Sequence, residues 1–120
     1  MKHKFIFCLT VLLFSYNCSY VSEDDLIDTT PLPETITYQD NVKTIIDNNC
    51  ISCHSNPPIN GAPISLTTYN DVKNAIENNG LISRISSEDL SFVMPFGGPR
   101  LPQNLIDIII EWEADGLLEN

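Results

Sequence analysis

The segment Cys50-Ile51-Ser52-Cys53-His54 limits this chain more than any other. Two thiols three residues apart sit on the same side of one helical turn, and the imidazole follows at the next position. Such a trio has few uses: a local disulfide, a metal site, a thioredoxin-type redox pair, or covalent attachment of a cofactor with the histidine turned toward it. The choice depends on compartment and on the fold around it.

The N-terminus addresses the compartment. Phe5 to Phe14 is the one apolar run, preceded by Lys2, His3 and Lys4 and followed by small or polar residues. It is about half the roughly 20 residues a membrane span needs, and its basic flank reads as a secretory signal, residues 1–17. Cys18 resembles the lipobox cysteine of bacterial lipoproteins, which is acylated and becomes the new N-terminus, although Tyr16 and Asn17 stand where small residues are usual. Ser22-Glu23-Asp24-Asp25 is similar to the acidic export tract of surface lipoproteins. Residues 18–37 carry five acids and no base, with Pro31 and Pro33, and read as an acidic tether. From Ser19 such a chain reaches about 60 Å fully extended, or roughly 25 Å on average when flexible. The expected location is exported, periplasmic or cell-surface, with a lipid anchor in the membrane. Of four cysteines, Cys8 leaves with the signal and Cys18 takes the lipid, so Cys50 and Cys53 remain for the fold.

From Tyr38 onward the apolar residues recur at helical spacing. Thr37-x-x-Asp40 starts a helix whose positions Val42, Ile45, Ile46 and Asn49 form one stripe leading into Cys50. Thr68-x-x-Asp71 and Gly80 bound a second helix, Tyr69 to Asn79, with Val72, Ala75 and Ile76 inward. A short helix from Leu81 to Ser86 follows. In the last helix Pro102 suits the first turn, Leu105, Ile106, Ile109 and Trp112 share a face, and Gly116 ends it. No stretch alternates with period two, so the fold class is all-α.

That fold narrows the trio. A thioredoxin-type pair expects a βαβ setting, a structural zinc site needs a fourth ligand, and a plain disulfide needs no histidine. The pattern C-x-x-C-H in an exported helical domain points to c-type haem, with Cys50 and Cys53 forming thioethers and His54 the proximal iron ligand. After residue 17 the chain holds one histidine, His54, and one methionine, Met94. Bis-histidine ligation within a monomer is therefore excluded. Met94 lies in Phe92-Val93-Met94-Pro95-Phe96-Gly97-Gly98-Pro99, a stiff loop suited to hold a thioether over iron; the competing use of a lone methionine is to fill a core gap.

The region 38–120 resembles a class I cytochrome c domain of the small type found in exported bacterial proteins. The residues that carry the likeness are Cys50 to His54, the L-T-x-Y segment Leu66-Thr67-Thr68-Tyr69, the M-P-x-G-G loop Met94 to Gly98, and Trp112 with Gly116. The resemblance implies a cytochrome c fold of three to five helices wrapped around one covalently bound haem. First and last helices should cross, with Val42 and Ile46 against Ile109 and Trp112. It also implies haem-pocket roles for Leu66, Tyr69, Ile82 and Ile85, each of which reads equally well as ordinary core. Arg84 could pair with a haem propionate or be an exposed solubilising charge. A backbone carbonyl within Ser55 to Ser65 should accept the His54 ring N–H.

The expected function is electron transfer with no small-molecule substrate and no enzymatic activity, since His/Met ligation closes the iron. The alternative is a haem-based sensor or haem enzyme in which a small molecule displaces Met94; a third is a colourless lipoprotein with a structural disulfide. The whole chain carries 6 basic and 16 acidic residues, which excludes nucleic-acid partners. Region 38–120 alone holds 11 acids and 4 bases. Such a surface steers a redox protein with a basic docking face toward the haem edge near Cys50 and Cys53, or serves solubility alone.

Overall fold

Thr37 opens the first helix as its side chain dictates. In the computed structural model, which describes residues 33 and 35–120, its hydroxyl accepts the Asp40 N–H at 3.3 Å and its own N–H donates to Asn41 Oδ1 at 3.0 Å. The signal segment, Cys18 and nearly all of the tether lie outside the described residues. Tyr38–Val42 forms a π-helical turn that runs directly into α1, Lys43–Asn49. Val42, Ile45 and Ile46 face the core. Asn49, the fourth position of that stripe, is only half-buried and donates its amide to Ile45 O at 2.8 Å, tying down the helix end.

α2 spans Tyr69–Asn79 with both halves of a capping box in place. Thr68 Oγ1 accepts from Asp71 N at 3.2 Å and Asp71 Oδ2 accepts from Thr68 N at 3.1 Å. Gly80, at φ +65°, supplies the left-handed turn that ends α2 and begins α3, Leu81–Ser86. α4 is Gln103–Ala114. Pro102 stands one residue before it, at the cap rather than in the first turn. Its carbonyl accepts from Leu105 and Ile106, so the helix starts on a group that needs no N–H of its own. Among the described residues there is no strand, and the described part is all-α.

One core joins these elements. Val42, Ile46, Ile109 and Trp112, the residues expected where first and last helices meet, belong to it together with Val72, Ile76 and Ile106. The opening π-helical turn packs on α4. Tyr38, Tyr69 and Trp112 form an aromatic trio with ring centroids 5.6 to 6.2 Å apart. The C-terminal segment closes over it. Trp112 Nε1 donates to Leu118 O at 2.8 Å, the Tyr69 hydroxyl to Leu117 O at 2.8 Å, and Tyr38 N to Leu118 O at 2.9 Å.

Packing begins two residues before the boundary read at Tyr38. Ile36 is fully buried, and its N–H donates to Asp115 Oδ2 at 2.7 Å, so Ile36 and Thr37 belong to the fold rather than to the tether. The acids and prolines upstream outweigh one isoleucine in any reading by composition.

The capping box gives a direct stability test. Thr68→Ala orphans the Asp71 N–H and is expected to cost about 1 kcal/mol. Urea unfolding should show a lower midpoint at unchanged slope; an unchanged midpoint would remove the box from the account.

Candidate functional site

The C-terminal turn of α1 builds the centre of the site. Cys50 N donates to Ile46 O at 2.8 Å, and the Cys50 carbonyl accepts from both Cys53 N, at 3.2 Å, and His54 N, at 3.0 Å. Cys53 and His54 thus hang from one carbonyl, and the motif continues the helical path past Asn49. Both thiols are unbridged. The Cys50 thiol is set into the protein, and burial pushes its pKa up to about 11. Cys53 lies toward the surface, where Asn60 Nδ2 approaches its sulfur at 3.7 Å.

His54 Nδ1 lies 2.8 Å from the carbonyl oxygen of Ile64. With a carbonyl as partner the ring proton belongs on Nδ1, which makes Nε2 the nitrogen with the free lone pair. The His54 carbonyl in turn accepts from Leu66 N at 2.9 Å. Residues 64–66 therefore hold the histidine from both sides, ring and backbone. The intervening loop is closed by Ile59 N donating to Cys53 O at 2.9 Å and by a tight turn at Asn60 and Gly61.

The Met94 loop is held by α3. Met94 N donates to Arg84 O at 3.0 Å, and the neighbouring Val93 is buried. Arg84 Nη1 donates to Phe92 O at 3.2 Å while its guanidinium stacks on the Phe92 ring at 3.9 Å. Arg84 is thus a staple of this loop and not a free surface charge. Met94 itself is half-buried and packs against the core.

The other pocket residues read from sequence divide. Leu66 is buried beside His54 through its backbone bond, and Ile85 is buried with Ile82 partly so. Tyr69 is occupied elsewhere, its ring against Tyr38 and Trp112 and its hydroxyl on Leu117 O. Val93 and Leu101, both buried, were missed by sequence reading; each lies in a Pro/Gly-rich stretch without helical period. Among the described residues no three His, Cys, Asp or Glu side chains gather as a metal-ion cluster, and no helix is long and apolar enough to cross a membrane. No family model, curated protein or solved structure matches the chain.

Proposed function

We propose that this domain is a monohaem electron carrier with a cytochrome c fold, joined to a membrane through lipid on Cys18. One observation carries the reading: a histidine whose Nδ1 is held by the Ile64 carbonyl sits on the same turn as two unbridged thiols. The donor set fits a haem. Two thiols suit its two vinyl groups, a neutral imidazole and a thioether suit the iron, and nothing in the set resembles a four-ligand zinc site. Apolar side chains near both ligands also lie in water, Ile59 at 51% exposure on the His54 side and Leu90 and Phe96 at 80% and 74% on the Met94 loop. A flat apolar macrocycle packed against such side chains would remove them from water.

In this reading Cys50 and Cys53 would hold the macrocycle covalently, and His54, through Nε2, and Met94 would hold its iron. The bound haem supplies reversible one-electron chemistry of iron. The Ile64 carbonyl would orient the imidazole through the Nδ1–H bond. Arg84 and its partner Phe92 hold the methionine loop in place, so the thioether need not be ordered on binding. Leu66 and Ile85, both buried, would keep water from the macrocycle. The acidic surface favours fast, transient complexes with a basic redox protein.

A visible spectrum of protein matured with haem-attachment machinery tests the whole reading: a colourless product overturns it. Met94→Ala should retain covalent haem but lose the weak charge-transfer band of sulfur-ligated ferric haem and bind added cyanide or imidazole readily. An unchanged spectrum would transfer the role of Met94 to core filling. Cys18→Ala should release soluble protein, and undiminished membrane association would overturn the lipid anchor.

A further inference from the structure

Two asparagines in the chain are followed by glycine, Asn60-Gly61 and Asn79-Gly80. This pair is prone to intramolecular attack, because glycine's missing side chain leaves its backbone nitrogen unshielded and free to turn toward the asparagine amide. Both asparagines are exposed. Accessibility alone does not separate them.

Hydrogen bonding does. At the end of α2 the Gly80 N–H, the nucleophile-to-be, donates to Ala75 O in the helix cap, and the Asn79 side-chain oxygen accepts from Asn74 Nδ2 at 3.2 Å. Both reacting groups are engaged. In the 59–62 turn the closing bond is Ala62 N to Ile59 O at 3.0 Å, which leaves the Gly61 N–H without an acceptor among the described residues. Asn60 and Gly61 have φ +53° and +80°, the left-handed pair of a type I′ turn. Among the described residues the only partner of the Asn60 amide is the weak acceptor Cys53 Sγ at 3.7 Å.

We propose that Asn60 is a site of spontaneous deamidation that places a carboxylate beside Cys53, while Asn79 is protected by its helix cap. In the step, the Gly61 nitrogen gives up its proton and bonds to Asn60 Cγ, the Cγ–Nδ2 bond breaks and ammonia leaves. Water then opens the cyclic imide at either carbonyl, giving aspartate or isoaspartate; no electrons change hands. The product exchanges the one side-chain N–H that reaches Cys53 from this loop for an acceptor with negative charge. The inference stands whether or not haem is attached.

The test is peptide mapping by mass spectrometry after incubation of the full protein in mildly alkaline buffer, natively folded and in urea. Native protein should lose the Asn60 amide several-fold faster than the Asn79 amide. Urea should bring Asn79 up to the rate of Asn60, because the Gly80 to Ala75 bond is gone. Gly61→Ala, whose Cβ meets no atom within 4 Å but is strained by the φ of +80°, should slow Asn60 several-fold and leave Asn79 unchanged; circular dichroism checks that this variant folds. The proposal is overturned if native Asn79 reacts as fast as Asn60, if Asn60 keeps its amide, or if Asn79 stays slow in urea.

Discussion

Protein in which Cys50 and Cys53 are both serine is expected to carry no covalent haem after maturation, a complete loss rather than a reduction. Thioether formation needs the sulfur atoms, and on the proposed reading, in which residues 1–17 are a cleaved signal that carries Cys8 away and Cys18 takes lipid, no other thiol remains. The two single variants should differ. Cys53 lies toward the surface and Cys50 is set into the protein, with burial favouring its neutral thiol. Cys53→Ser, left with the buried thiol, should retain haem through Cys50 in lower yield than Cys50→Ser retains it through Cys53. Denaturing gel electrophoresis followed by a haem stain reads all three. Haem that survives denaturation in the double variant would falsify the attachment site while leaving the helical fold untouched.

The second large effect belongs to Trp112, which is fully buried and touches both other rings of the aromatic trio. Trp112→Ala removes the largest side chain of the core and is expected to cost about 3–5 kcal/mol. It also leaves the Leu118 carbonyl without the Nε1 donor at 2.8 Å, which loosens the segment that Tyr69 and Tyr38 hold. Small domains are stable by only about 5–15 kcal/mol in total, and one of this size at the low end of that range. The variant should therefore lose more than about 12 °C of melting temperature, and little stability should remain at ambient temperature. Trp112→Phe keeps an aromatic ring in the trio but not the indole N–H, so it should fall between the two. Thermal unfolding that shifts by only a few degrees in Trp112→Ala would show that the C-terminal segment does not depend on the trio.

Local encoding explains which features were readable in advance. Thr37 with Asp40, Thr68 with Asp71, and Gly80 each act on neighbours three or four residues away, so their side chains announce the helix limits directly. The motif Cys50 to His54 is likewise a single turn, and its two sulfurs and imidazole are specified by residues close along the chain. The apolar stripes of α1, α2 and α4 follow from helical period, and burial of Val42, Val72 and Ile109 is what that period requires.

Sequence by itself thus determined an all-α domain, the limits of its helices and the cluster of two thiols and an imidazole, because each is a matter of residues close along the chain. Tertiary structure alone decided the rest. The group that holds His54 is the backbone carbonyl of Ile64, and a carbonyl is common to every residue, so no side chain marks it. Arg84 became a staple for Phe92, and Tyr69 turned to Leu117, because a cation near a ring and a hydroxyl near an open carbonyl find partners only once loops and helices are assembled. Ile36 entered the core through Asp115, 79 residues away, where the cost of closing so long a loop is met by the whole fold and is visible in no local pattern.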